Sequence, residues 1–349
     1  MEEKKILVFD ATLRDGSHAI KHQLPLEVIQ GYCHDVDVAG MDAVIVGHGN
    51  GLGASSLQVG LSAHTDSEML EVARGNLKET KLGIYMIPGF GTIEDNLIPA
   101  MEQGVEVYKI GCHSTEADVT RQHIEYLREK GKEVYGVLMM SHMPSPERLL
   151  KEVRKMESYG AYGVILMDSA GAYMPEDVKR KIGILVEGTN IRIGFHAHNN
   201  LGMAVSNTLL AIENGATIID GTIRGFGAGA GNCQLEALIP VLQRQGLLEN
   251  IDYYKLLDVS DKYVRDAIGY TKGLDTTSIV SGLCGVFSAF AVHVNNASER
   301  YGVDPRDIYK ELGRRGVVGG QEDIVVDVAI YLSQKNREDD SSFVMESLL

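Results

Sequence analysis

The stretch FDATLRDGSHAIKHQ, residues 9–23, gathers Asp10, Arg14, Asp15, His18 and His22 into one short span. A carboxylate can hold a cation, and a guanidinium carries a permanent charge that suits an oxygen becoming negative during reaction. An imidazole titrates near neutrality and can serve as acid or base, the role open to His18. A second group is HAHNN, residues 196–200. On a strand, residues two apart share a face, so His196 and His198 project together while Ala197 turns away. Two imidazoles joined by a carboxylate make a site for a divalent ion, with Mn²⁺, Co²⁺ and Zn²⁺ all suited and Mg²⁺ admitted.

Asp15 is the expected third ligand, and Asp10 is the competing carboxylate. Asp10 lies inside an apolar run, which fits either a group that supports a ligand from behind or a buried structural hydrogen bond. Asp168 and Asp220 share that ambiguity. Each candidate also has a plain structural alternative. Arg14 fits a surface ion pair, His18 a helix-start histidine facing water, and the histidine pair two hydrogen-bonded core side chains.

These groups need elements to position them. Short apolar runs recur along the chain, at KILVFDAT from Lys5, DAVIVGHG from Asp42, KLGIYMIPG from Lys81 and VEVYKIGCH from Val105. Four more follow, at EVYGVLMMSH from Glu133, YGVILMDSAG from Tyr162, IRIGFHAHN from Ile191 and TIIDGTIRGFG from Thr217. Runs without polar alternates suit parallel strands buried on both faces. Helical spacing fills the intervals, as where Leu149, Val153 and Met156 form one stripe. Several such segments stop at a glycine, at Gly40, Gly104, Gly131, Gly160 and Gly215. Eight strand-helix units in roughly 250 residues predict an α/β fold, a (β/α)8 TIM barrel. No G-x-G-x-x-G follows the first strand, which argues against a doubly wound dinucleotide fold.

A barrel places its chemistry where strands end. Strand ends here carry Asp10, His48, His113, His142, Asp168, Ser169 and the HAHNN group. Strands one and seven are separated only by strand eight around a closed ring, so Asp15 can reach the two histidines. The glycine run from Gly225 to Asn232 is expected to open the last barrel helix, either as an anion cradle or as a tight turn for close packing. Beyond about residue 260 the pattern turns helical, which predicts a barrel over residues 1–262 and a smaller helical domain over 263–349.

The net charge of −15, from 33 Lys+Arg against 48 Asp+Glu, argues against a phosphate-binding face for nucleic acid. The N-terminus has no signal-peptide pattern and no run is long enough to span a membrane, so a cytoplasmic address is expected. Cys33, Cys112, Cys233 and Cys284 lie far apart and read as reduced thiols.

With TLRDG after strand one, HAHNN on strand seven and GAGAGN after strand eight, the chain resembles the metal-dependent aldolase and acyltransferase barrels. HSTEADVTRQHIEY, LMMSHM and LGRRGVVGGQEDIVVDVA make it similar to the 4-hydroxy-2-oxovalerate aldolase family in particular. That resemblance implies a divalent ion, most often Mn²⁺, on Asp15, His196 and His198, and catalysis by His18 and Arg14. It implies substrate contacts by Arg14, Asp15, Ser169, His196 and Phe287, with products pyruvate and a short aldehyde. Where the family carries a tyrosine near the mouth, this chain has Phe287, which cannot donate a hydrogen bond. The resemblance further implies an acylating acetaldehyde dehydrogenase partner fed by an internal channel, and an oligomer is expected. Two other functions fit the same residues less well. One is an acyl-CoA-dependent condensing enzyme, disfavoured by His18 and Asn200. The other is a non-catalytic scaffold for the dehydrogenase, disfavoured by the joint presence of Arg14, Asp15 and His18.

Overall fold

A computed structural model describes residues 5–270 and 273–346, with side chains through residue 335. The eight apolar runs form the strands β1 (Leu7–Asp10), β2 (Ala43–Ile45), β3 (Lys81–Met86) and β4 (Val107–His113), then β5 (Glu133–Met139), β6 (Gly163–Asp168), β7 (Arg192–Ala197) and β8 (Ile218–Gly221). They pair in parallel, each with its neighbour, and β1 closes on β8 with Leu7 opposite Ile218 and Asp10 opposite Gly221. Every strand is covered on its outer face by helices, so both faces are dry and the sequence has no polar alternation.

The helix Pro146–Ser158 shows how local sequence sets the covering layer. Ser145 caps its start by accepting the Arg148 amide, and Leu149, Val153 and Met156 are buried against the sheet. The five glycines expected to stop helices all take positive φ, from 69° to 98°, a region other residues rarely enter.

Inside the ring, Phe9, Ile45, Tyr85, Val107, Tyr135, Ile165, Met167 and Ile218 form a separate core. The Phe9 and Tyr135 rings meet edge to face at 5.0 Å. β4 and β8 stand on opposite sides of an eight-strand ring. The bond from Lys109 Nζ to Asp220 Oδ2 therefore crosses the barrel interior, and both groups are fully buried.

The helix Tyr253–Val259 runs on through Ser260–Ala267, and Tyr263, Val264 and Tyr270 belong to the barrel's outer core. The helices Thr276–Leu283, Ala291–Tyr301, Pro305–Arg315 and Glu322–Glu346 follow, around a core of their own that includes Val286, Phe290, Ile308, Leu312 and Val328. This unit docks on the strand-end face, where the Ser288 amide donates to the Ser169 carbonyl at 2.9 Å. Among the described residues no helix is long and apolar enough to cross a membrane.

Candidate active site

The residues after β1 make one helical turn, Thr12–Asp15, then a tighter helix, Gly16–Ile20. The Arg14 and Asp15 amides both return to the Ala11 carbonyl, and this swings the two side chains back over the barrel mouth. Gly16 is needed there because a Cβ would fall 2.1 Å from the Phe226 ring. On the other side, β7 carries His196, and His198 follows in a bridge to Asn232. The strand extension thus places His198 beside the loop after β8.

Ligand atoms of Asp15, His196 and His198 lie within 4.8 Å of one another, and all three residues are buried. The imidazole rings are 5.2 Å apart. His196 Nε2 and His198 Nδ1 are buried without a hydrogen-bond partner among the described residues. Burial would raise the Asp15 carboxyl, but Arg14, then His198 and the other nearby histidines, hold it well below the usual carboxylate range. Burial, with His196 and Arg14 beside it, pushes His198 down to about 3, so its imidazole is neutral. An ionised carboxylate at Asp15, the neutral imidazole of His198 and the free Nε2 of His196, unpartnered among the described residues, fit a divalent cation.

Arg14 is 2% exposed, so it is not a surface ion-pair residue. Its Nη1 donates to Asp15 Oδ1 at 2.7 Å and to the Gly49 carbonyl at 3.2 Å, while Nε and Nη2 have no partner among the described residues. His18 is half-buried and borders the inner cavity with Arg14, Asp15, His198 and Phe287. Burial chiefly lowers its pKa, which keeps it in the basic form. On its outer side His18 also borders a half-open chamber of about 470 Å³ shared with Val59, Gly229 and His293.

Asp10 takes the structural alternative. It accepts from the Thr12 amide at 2.9 Å, from the Thr12 hydroxyl and from the Tyr32 hydroxyl. Asp168 accepts the Ala172 and Tyr173 amides, each at 3.0 Å. Ser169 Oγ accepts the Met140 amide at 2.9 Å, and Ser169 is not among the residues bordering the inner cavity. Phe287 stands at the mouth. It borders the inner cavity and also two outer chambers of about 230 and 280 Å³ that include Ile87, Pro88 and Met139.

The glycine run differs from its expected place. The next helix begins only at Leu235, and the Ala228 and Ala230 amides point to Asp15 and Asn200, at 3.4 Å each. The loop braces the site and does not open a helix. Asn232, not singled out by sequence, donates from Nδ2 to Asp15 and leaves Oδ1 buried without a partner among the described residues. Lys109 and Tyr85 were also missed. The available signal was their parity: Lys109 shares a strand face with Gly111 and Tyr85 with Gly83, and those faces point inward.

The barrel, with an Asp-His-His cluster where β1 and β7 end, is of the HMGL-like class, whose family profile matches residues 5–262. A DmpG-like communication domain matches residues 272–334. A 4-hydroxy-2-oxovalerate aldolase of Pectobacterium atrosepticum is 51% identical over 95% of this chain and 97% of its own length. One from Spirochaeta aurantia is 52% identical over 93% of this chain and 95% of its own. The chain belongs to the 4-hydroxy-2-oxovalerate aldolase family, a family of carbon-carbon lyases. Among solved structures, the carboxyl transferase domain of Rhizobium etli pyruvate carboxylase, with pyruvate and biocytin, superposes with a TM-score of 0.81 at 16% identity. That match covers 96% of this chain and 61% of the other, and it speaks for the fold alone.

Proposed function

We propose that the chain is a divalent-metal-dependent pyruvate aldolase that cleaves 4-hydroxy-2-oxovalerate, or a related 4-hydroxy-2-oxo acid, to pyruvate and a short aldehyde. The observation that carries this reading is the convergence of Arg14 and His18 on the cavity beside Asp15, His196 and His198. Those three would hold the cation, with Mn²⁺ the first choice. When bound, the cation supplies Lewis-acid polarisation of the substrate's 2-oxo group.

His18, kept basic by burial, takes the proton of the 4-hydroxyl. The C3–C4 bond then breaks, the hydroxyl carbon leaves as the aldehyde carbonyl, and the bonding pair passes to the enolate of pyruvate. Arg14, whose Nε and Nη2 have no partner among the described residues, offers its charge to the developing oxyanion. Return of the proton held by His18 to C3, directly or through solvent, completes pyruvate and restores the basic imidazole. Phe287 and the apolar chambers behind it receive the aldehyde's alkyl end.

A catalytic barrel over 1–262 and a helical unit over 263–349 that docks an acylating acetaldehyde dehydrogenase belong to this reading. The profile match over residues 272–334 supports the unit, while Tyr263, Val264 and Tyr270 at its start pack into the barrel's outer core. An oligomeric assembly and a cytoplasmic address belong to the same reading, the latter supported by four free cysteines. The test is purified chain with Mn²⁺, assayed for pyruvate from 4-hydroxy-2-oxo acids and, in parallel, for CoA release from acetyl-CoA with 2-oxo acids. Pyruvate formation is expected. CoA turnover without pyruvate would transfer the chain to the condensing enzymes, and neither activity would favour the scaffold.

A further inference from the structure

Tyr85, the fifth residue of β3, turns into the barrel interior and is 2% exposed. The Arg14 guanidinium lies over its ring, 4.8 Å from the centroid. The side chain borders the inner cavity with Arg14, Asp15, His18 and His198. Its hydroxyl is buried and has no hydrogen-bond partner among the described residues. Room for that hydroxyl comes from Gly111 of β4, where a Cβ would fall 2.1 Å from the phenol oxygen. Burial raises the phenol above its ordinary range, so it stays a neutral donor at working pH.

A buried hydroxyl without a partner is unfavourable, and phenylalanine would fill the same space without that penalty. The hydroxyl therefore asks for a partner that enters the cavity. The wall formed by Ile87, Met139, Met167 and Phe287 has no side-chain donor and suits an alkyl end. Tyr85 instead sits against Arg14, whose Nε and Nη2 also lack a partner among the described residues. Phenol and guanidinium together form a donor patch suited to a planar, anionic group.

We propose that the Tyr85 hydroxyl donates a hydrogen bond to an oxygen of the 2-oxo acid portion of the substrate, so that Tyr85 is a substrate-binding residue of the site. This rests on the aldolase reading. The Tyr85→Phe variant keeps the ring, its packing over Gly111 and its place under Arg14. With Mn²⁺ present, pyruvate binding should weaken by about 10-fold or more, the loss of one hydrogen bond to an anion. Exchange of pyruvate methyl protons with D2O, followed by NMR, should slow in step. Mn²⁺ affinity and the ranking of aldehyde chain lengths should hold, and the thermal midpoint should stay level or rise because an unpaired hydroxyl has gone. Wild-type pyruvate binding and exchange in Tyr85→Phe would overturn the proposal. So would an effect confined to aldehyde choice, or a fall in Mn²⁺ affinity or thermal midpoint, which would mark a structural role. A wild-type chain that neither exchanges nor releases pyruvate would instead sink the aldolase reading and this proposal with it.

Discussion

His196 Nδ1 lies 3.2 Å from Asp220 Oδ1, and the other carboxylate oxygen of Asp220 holds the Lys109 ammonium on the far side of the barrel. A carboxylate behind a histidine fixes the ring's orientation and leaves Nε2 free for a cation. All three groups are fully buried, so the arrangement is built into the interior core and not borrowed from solvent.

Asp220→Asn should therefore weaken Mn²⁺ binding by about 10- to 100-fold while the fold persists. Titration calorimetry with Mn²⁺ reads this directly. An unchanged affinity would remove Asp220 from the account of the site.

His18 and His196 should separate cleanly. His18→Ala should lose about 10²- to 10⁴-fold in kcat and retain the ion, because it acts on the substrate proton. His196→Ala should lose both. Metal content and pyruvate release, measured on the same preparations, check the assignment, and equal metal loss in the two variants would contradict it.

His22 and His48 stack at 3.6 Å and bond through Nε2 to the Val59 and Gly60 carbonyls, each at 3.1 Å. Burial first, and neighbouring histidines second, push them down to about 2 and about 4. In the unfolded chain both protonate near the ordinary 6.5. Below that pH the unfolded state binds more protons, so their contribution is full above 6.5 and declines as pH falls from there, toward 4 for His48 and on toward 2 for His22. Urea midpoints at graded pH should show the decline, and a His48→Gln variant should show a shallower one.

Phe287 forms a shared wall between the inner cavity and the outer chambers. Phe287→Ala should join these spaces and move the preferred aldehyde to longer chains, by roughly 10-fold in relative kcat/KM. A cleavage series over aldehyde chain length measures it. An unmoved profile would place the alkyl end elsewhere.

Much of this architecture is legible in the sequence. Eight apolar runs without polar alternates marked the strands, glycines at the ends of the helical stretches marked the helix stops, and strand periodicity put His196 and His198 on one face. Lys109 was hidden because a lone lysine in an apolar run looks like a strand edge. Its partner Asp220 stands 111 residues away and meets it only across the closed ring. Tyr85 was hidden because tyrosine favours strands anyway, and its unpaired hydroxyl has meaning only once Gly111 and Arg14 are beside it. The glycine run misled for a related reason. Composition announces a close approach, but only the pairing of Asn232 with His198 shows that the loop braces Asp15.

The most direct measurement is the number of Mn²⁺ ions bound per chain in the wild type and in Asp15→Ala, His196→Ala and His198→Ala. One ion per wild-type chain and near-complete loss in each variant are expected, with every variant still folded by circular dichroism. Undiminished stoichiometry in Asp15→Ala or His198→Ala would contradict it.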